Sequence, residues 1–161
     1  NTGVLEKEEV VDWADTIISK DEKPDIFFIE LALSSSKSIN DVINYISNSL
    51  NCEQPVIQGS HLLGFLYKKF KTGNINLEQT VRLLFSLRDK AVFTYDEENR
   101  IYFIDDAFDL ANNNIYGSLE DVEKETNEFL EVYKDYTIEN FEQWQNLDEQ
   151  LARKVDGQPR P

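Results

Sequence analysis

Apolar residues recur at intervals of three and four along most of this chain, and residues that start or stop helices separate the runs, so it is constrained to a series of amphipathic helices. Val10, Trp13, Ala14, Ile17 and Ile18 share one face of a first helix over about 6–20. Glu6, Glu8 and Glu9 suit its positive N-terminal end and Lys20 the other. Pro24-Asp25 opens a second segment, Ile26 to Leu33, apolar almost all round. Such a run is a buried helix or a buried strand, and the proline start favours helix. Ser38 with Asp41 resembles a capping box ahead of a helix over about 39–50. After Pro55, Gly59-Ser60 leads into Leu62, Leu63, Phe65, Leu66 and Phe70, with Lys68, Lys69 and Lys71 near the end and Gly73 as a stop. Asn76 caps the next helix, which carries Val81, Leu84, Phe85 and Leu87 and closes on Arg88 and Lys90.

The stretch 91–104 reads two ways. Val92 to Tyr95 and Arg100 to Ile104 flank Asp-Glu-Glu-Asn, which suits a hairpin near 92–104. Ile101, Ile104, Phe108 and Ala111 instead continue at helical spacing, which favours a helix over about 97–113. Ser118 and Asp121 repeat the capping pattern before the stripe Leu119, Val122, Thr126, Phe129, Leu130 and Tyr133. Thr137 starts a last helix through Ile138, Phe141, Trp144, Leu147 and Leu151. The expectation is an all-α, irregular bundle of about seven helices, forming one domain over 1–155 with a frayed tail over 156–161. No repeat of fixed period suggests a solenoid.

A chain of 161 residues with 40% hydrophobic residues can build a core, burying roughly 70% of its unfolded surface. One cysteine, Cys52, cannot form an internal disulfide, which points to a reducing cytoplasm. No apolar run approaches the about 20 residues that span a bilayer, and no signal-peptide pattern opens the sequence, which starts at Asn1 and contains no Met. Charge is unevenly distributed. Residues 1–50 hold 10 acidic against 4 basic side chains, 51–90 hold 3 against 6, and 91–161 hold 18 against 6, for a net charge of −15. Such a field attracts basic partners and repels nucleic acid and anionic membranes.

No complete catalytic constellation accompanies it. His61 is the only histidine; it lacks a Glu three residues before it and reads as a partly exposed first-turn residue beside a cap. Adjacent Ser60 does not make a triad, whose members converge from separate elements. Carboxylate pairs one turn apart, such as Glu120/Glu123, Glu125/Glu128 and Glu128/Glu131, have the spacing by which all-α nucleotide pyrophosphatases hold Mg²⁺. In so acidic a chain, solvated helix faces account for them. The six glycines form no phosphate loop, and the three lysines near residue 70 suit a helix C-terminus better than a nucleic-acid groove. No metal ligand set and no cofactor motif is read.

The candidate partner site is the acidic face of the last third. On a helical wheel, Tyr102, Asp105, Asp106 and Asp109 turn away from Ile104, Phe108 and Ala111. Asp121, Glu128 and Glu131 turn away from the next stripe, with Lys124 alone to answer them. A tyrosine among unneutralised carboxylates suits an interface anchor.

Three segments carry a resemblance: Glu8-Glu9-Val-Val-Asp12-Trp13-Ala14-Asp15, Ile29-Glu30-Leu-Ala-Leu-Ser34 and Ile115-Tyr-Gly-Ser-Leu-Glu-Asp121. Over much of residues 4–134 the chain resembles small bacterial immunity proteins of polymorphic-toxin and contact-dependent growth inhibition systems. That resemblance implies a non-enzymatic cytoplasmic protein that binds one cognate toxin domain, often a basic nuclease, and blocks its active site. The alternatives are a metal-dependent nucleotide hydrolase using paired carboxylates and an acidic helical adaptor. Oligomeric state is not legible.

Overall fold

Side-chain acceptors placed at chain reversals start most of the helices. The computed structural model describes residues 3–50 and 56–156, without the side chains of residues 50 and 154–156. The described residues contain eight α-helices and two short 3₁₀ segments, with no strand beyond a single parallel bridge, so the protein is all-α. The residues fall into two compact units, Gly3–Val56 and a second beginning at Ile57.

In the first unit, α1 (Lys7–Lys20) opens on a capping box between Glu6 and Glu9. Asp25 accepts from the Phe27 amide at 2.8 Å and starts α2 (Ile26–Ala32), which tightens into a 3₁₀ turn over Leu33–Ser36. The expected box at α3 (Ile39–Leu50) forms, with the Asp41 amide donating to Ser38 Oγ and the Ser38 hydroxyl to Asp41 Oδ2. These three helices bury Ala14, Leu31 and Val42, with Trp13, Phe27, Phe28 and Tyr45 packed around them. Trp13 meets Phe28 edge-on at 5.3 Å, and Phe27 stacks on Tyr45 at 5.7 Å. Lys7 Nζ donates to the Ser35 and Lys37 carbonyls at 2.7 and 3.1 Å, where a cation suits the unsatisfied carbonyls of a helix end. The α2 run is helical but not buried all round. Ile26 and Leu33 are exposed, because a seven-residue helix touches its neighbours along one side only.

The second unit is built on α4 (Gly59–Lys71), whose Leu62, Leu63, Phe65 and Leu66 are all buried. Helices α5 (Leu77–Leu87) and α7 (Leu119–Glu131) pack against it, and α6 (Tyr95–Asn112) packs against both of those. Gly73, at φ 73°, lies just beyond α4, where the left-handed region excludes most side chains. Asn76 and Gln79 exchange hydrogen bonds to open α5. Lys68 reaches Glu139 at 2.7 Å and Lys71 reaches Asn127 at 2.8 Å, so two of the three lysines tie α4 to later segments.

Two boundaries differ from the spacing. The alternative hairpin near 92–104 does not form. Thr94 and Glu97 make a capping box, with the Thr94 amide donating to Glu97 Oε2 at 2.7 Å, and α6 starts at Tyr95 rather than about 97. Val92 instead forms the one parallel bridge, to Gln58, with the Gly59 amide donating to the Val92 carbonyl and the Val92 amide to Ile57, both at 2.8 Å. The last helix is also interrupted. Ile138–Gln143 is a 3₁₀ segment, non-helical at Asn140, and α8 (Trp144–Asp156) follows it. Cys52, Pro55 and, apart from Asp156, the tail expected to fray lie outside the described residues.

Candidate functional site

The seven residues of the expected acidic face do not share one setting. Asp105 and Asp109 point to α5, where Arg82 holds both: Nη1 lies 3.2 Å from Asp105 Oδ1 and Nη2 lies 2.9 Å from Asp109 Oδ1. The expectation of unneutralised acids on α6 is corrected here, since a wheel of one helix cannot show a cation on its neighbour. Tyr102 is 45% exposed, but its ring meets Phe85 edge-on at 5.9 Å and lies under the Arg88 guanidinium at 4.5 Å. Asp106 is exposed on the next face round. On α7, Asp121 accepts the Ser118 hydroxyl at 2.6 Å and so belongs to the helix start. Glu128 lies 4.0 Å from Lys124, and Glu131 is exposed at the far end. At 1.5 Å rise per residue, Asp121 and Glu131 are about 15 Å apart along the axis.

Burial, and next the charge of Asp109, raise the Asp105 pKa, and Arg82 only partly opposes them. The folded state then binds more protons than the unfolded one in the window from the ordinary carboxylate value upward, so this group's contribution to stability falls as pH rises through it. Asp105→Asn keeps an oxygen for Arg82 and is expected to hold or slightly raise the melting temperature at neutral pH. Thermal melts from about pH 4 to 7 check this, and a drop of several degrees at the upper end contradicts it.

A second, apolar line on α6 escaped the sequence reading. Phe103 and Leu110, seven residues apart, leave the core face and are exposed, Phe103 by 57%. They lead to the turn after the helix, where Ile115 and Tyr116 are 70% and 79% exposed and Leu119 follows. That turn is fixed by its main chain. The Ile115 and Tyr116 amides both donate to the Leu110 carbonyl, at 2.9 and 3.3 Å, and Asn114 and Gly117 take positive φ values of 55° and 76°. The available signal was the Phe103, Ala107, Leu110 spacing, distinct from the Ile101, Ile104, Phe108 stripe.

The second unit also holds a cleft of about 940 Å³, reached by the N-terminal ends of α4 and α6 and by α7 and α8. Asp148 on α8, not singled out from sequence, gathers its polar groups. It accepts the Tyr136 hydroxyl at 2.8 Å and the Ser60 hydroxyl at 3.3 Å. His61 Nε2 lies 3.4 Å from its other oxygen, within ion-pair distance but without hydrogen-bond geometry, and its ring stacks on Trp144 at 4.3 Å. Ser60 therefore donates to the carboxylate and not to the imidazole, which is not the order of a nucleophilic triad. The Tyr133 hydroxyl donates to Glu97 Oε1 at 2.7 Å. Burial, reinforced by the neighbouring carboxylates, pushes both tyrosine pKa values well up, so each phenol stays a donor. Tyr136→Phe leaves Asp148 short of one donor beneath a ring that is almost wholly buried. We expect a loss of about 1–3 kcal/mol, read as a lower urea midpoint at unchanged slope.

Among the described residues, no group of three or more His, Asp or Glu side chains could hold a metal ion. No described helix is long and apolar enough to cross a membrane. The fold and surface define an acidic all-α protein with exposed apolar side chains on its most acidic pair of helices. Compared with known proteins, the chain matches no family model, no curated protein and no solved structure.

Proposed function

We propose that this protein is a non-enzymatic immunity protein that binds a cognate, basic bacterial toxin domain in the cytoplasm and neutralises it by covering its active site. The observation that carries the reading is the exposed line Phe103, Leu110, Ile115 and Tyr116, set in a helical pair of one charge sign. Residues 95–131 hold 12 acidic side chains against Arg100 and Lys124, and Arg82 of α5 answers two of them, Asp105 and Asp109. Arg100 is already paired with Glu125. Such a field accelerates encounter with a basic partner, while apolar and aromatic anchors desolvated on docking slow its escape. The resemblance to immunity proteins supplies the identity of the partner; charge and apolar exposure supply the mode of binding.

The test uses the product of the reading frame immediately upstream, purified and mixed with this protein at several salt concentrations. We expect a one-to-one complex whose association rate falls steeply with salt while its dissociation rate changes little. Absence of binding, or an association rate indifferent to salt, contradicts the proposal.

A further inference from the structure

We propose that the cleft between the N-terminal ends of α4 and α6 and helices α7 and α8 is a binding site for a small organic cation, an ammonium or guanidinium group on an apolar body. The inference is independent of the toxin reading. Its volume, about 940 Å³, falls within the roughly 300–1,000 Å³ of small-molecule sites. Phe93, Phe129, Val132 and Leu151 give it apolar walls.

The charge of the lining selects the ligand. Asp96, Glu97, Glu128 and Asp148 all line the cleft, against one guanidinium, that of Arg100. Arg100 is bound to Glu125, outside the lining, and so offers no free charge to an anion. Glu97 and Asp148 are held in place chiefly by hydroxyl donors, those of Tyr133 and Thr94 for one and those of Tyr136 and Ser60 for the other, with His61 Nε2 3.4 Å from the second Asp148 oxygen. Hydroxyl groups fix a carboxylate without cancelling its charge. The two helix N-termini contribute about half a positive charge each, offsetting about one of the four carboxylates, and exposed Lys124, 4.0 Å from Glu128 and outside the lining, offsets part of a second. The cleft therefore keeps a net negative potential beside apolar walls, which an amphiphilic cation satisfies and an anion does not.

Phenethylammonium is the probe, with phenethyl alcohol as its neutral counterpart of similar shape. Both are titrated into the ¹⁵N-labelled chain in about 0.15 M salt, where exposed charges further apart than about 8 Å are largely screened. The expected result is saturable shifts confined to amides of 58–60, 92–97, 128–133 and 148–152, with the ammonium at least tenfold tighter than the alcohol. The double variant Asp96→Asn, Glu128→Gln is expected to weaken binding at least fivefold. Should it fail to fold, Val132→Trp carries the decision, because a large ring on this exposed wall fills the cleft and abolishes the shifts. Equal binding of alcohol and ammonium overturns the proposal. So do shifts spread without saturation over all the acidic helices, wild-type affinity in the folded double variant, or shifts that persist in Val132→Trp.

Discussion

Alanine at Gly64 is expected to destabilise the second unit by about 3 kcal/mol, at the upper end of the usual cost of overpacking. In mid-helix, glycine to alanine ordinarily stabilises by about 1 kcal/mol, so the sign itself is diagnostic. A Cβ at this position would lie 2.3 Å from the Tyr136 carbonyl oxygen, 2.5 Å from Tyr136 Cβ and 2.7 Å from the Tyr133 carbonyl oxygen. Two of those three atoms are main chain and cannot swing aside. Relief requires α4 and the 133–136 segment to part, which also strains the Tyr133–Glu97 and Tyr136–Asp148 hydrogen bonds. For a unit of this size the melting temperature should fall by about 12–24 °C, from about 4–8 °C per kcal/mol. Gly73→Ala is the comparison: its Cβ meets nothing within 4 Å, and only the positive φ opposes it, at a cost of about 1 kcal/mol. Gly64→Ala melting within about 2 °C of the wild type would show that the two segments are not packed this closely.

The second large effect concerns the proposed partner. Phe103→Ala combined with Tyr116→Ala is expected to weaken binding of the proposed cognate domain about 100-fold or more, chiefly by faster dissociation. Each truncation of an anchor costs over about 1–2 kcal/mol, and about 1.4 kcal/mol is tenfold. Both rings are more than half exposed, so circular dichroism and melting should be nearly unchanged. Tyr102→Ala serves as the contrast. Its ring already rests against Phe85 and Arg88, and it should cost stability more than affinity. Wild-type dissociation of the folded double variant would remove this ridge from the interface and leave the acidic field without its anchors.

The local rules that set helix starts were legible. Ser38 with Asp41, Asn76, and Ser118 with Asp121 each cap the helix that the sequence placed after them. Those signals span three residues and need no knowledge of the rest of the fold. Thr94 obeys the same rule, but Val92, Phe93 and Tyr95 surround it with strand-forming residues, and α6 carries apolar side chains on several faces, which blurs its period. The site was less legible because its determinants lie between helices. A wheel showed Asp105 and Asp109 pointing away from the core but could not supply Arg82, and no spacing joins Ser60 to Asp148 across 88 residues.

The turn after α6 holds its shape through amide donors to one carbonyl and through the left-handed conformations of Asn114 and Gly117, none of which involves the side chains of Ile115 or Tyr116. Backbone form and surface chemistry are thus separable at this point. Residues 115 and 116 can be exchanged for others without rebuilding the loop, so one unchanged scaffold could be retuned toward a different partner through two side chains. Because the loop is already ordered, such an exchange would alter what is recognised while adding little entropic cost to recognition.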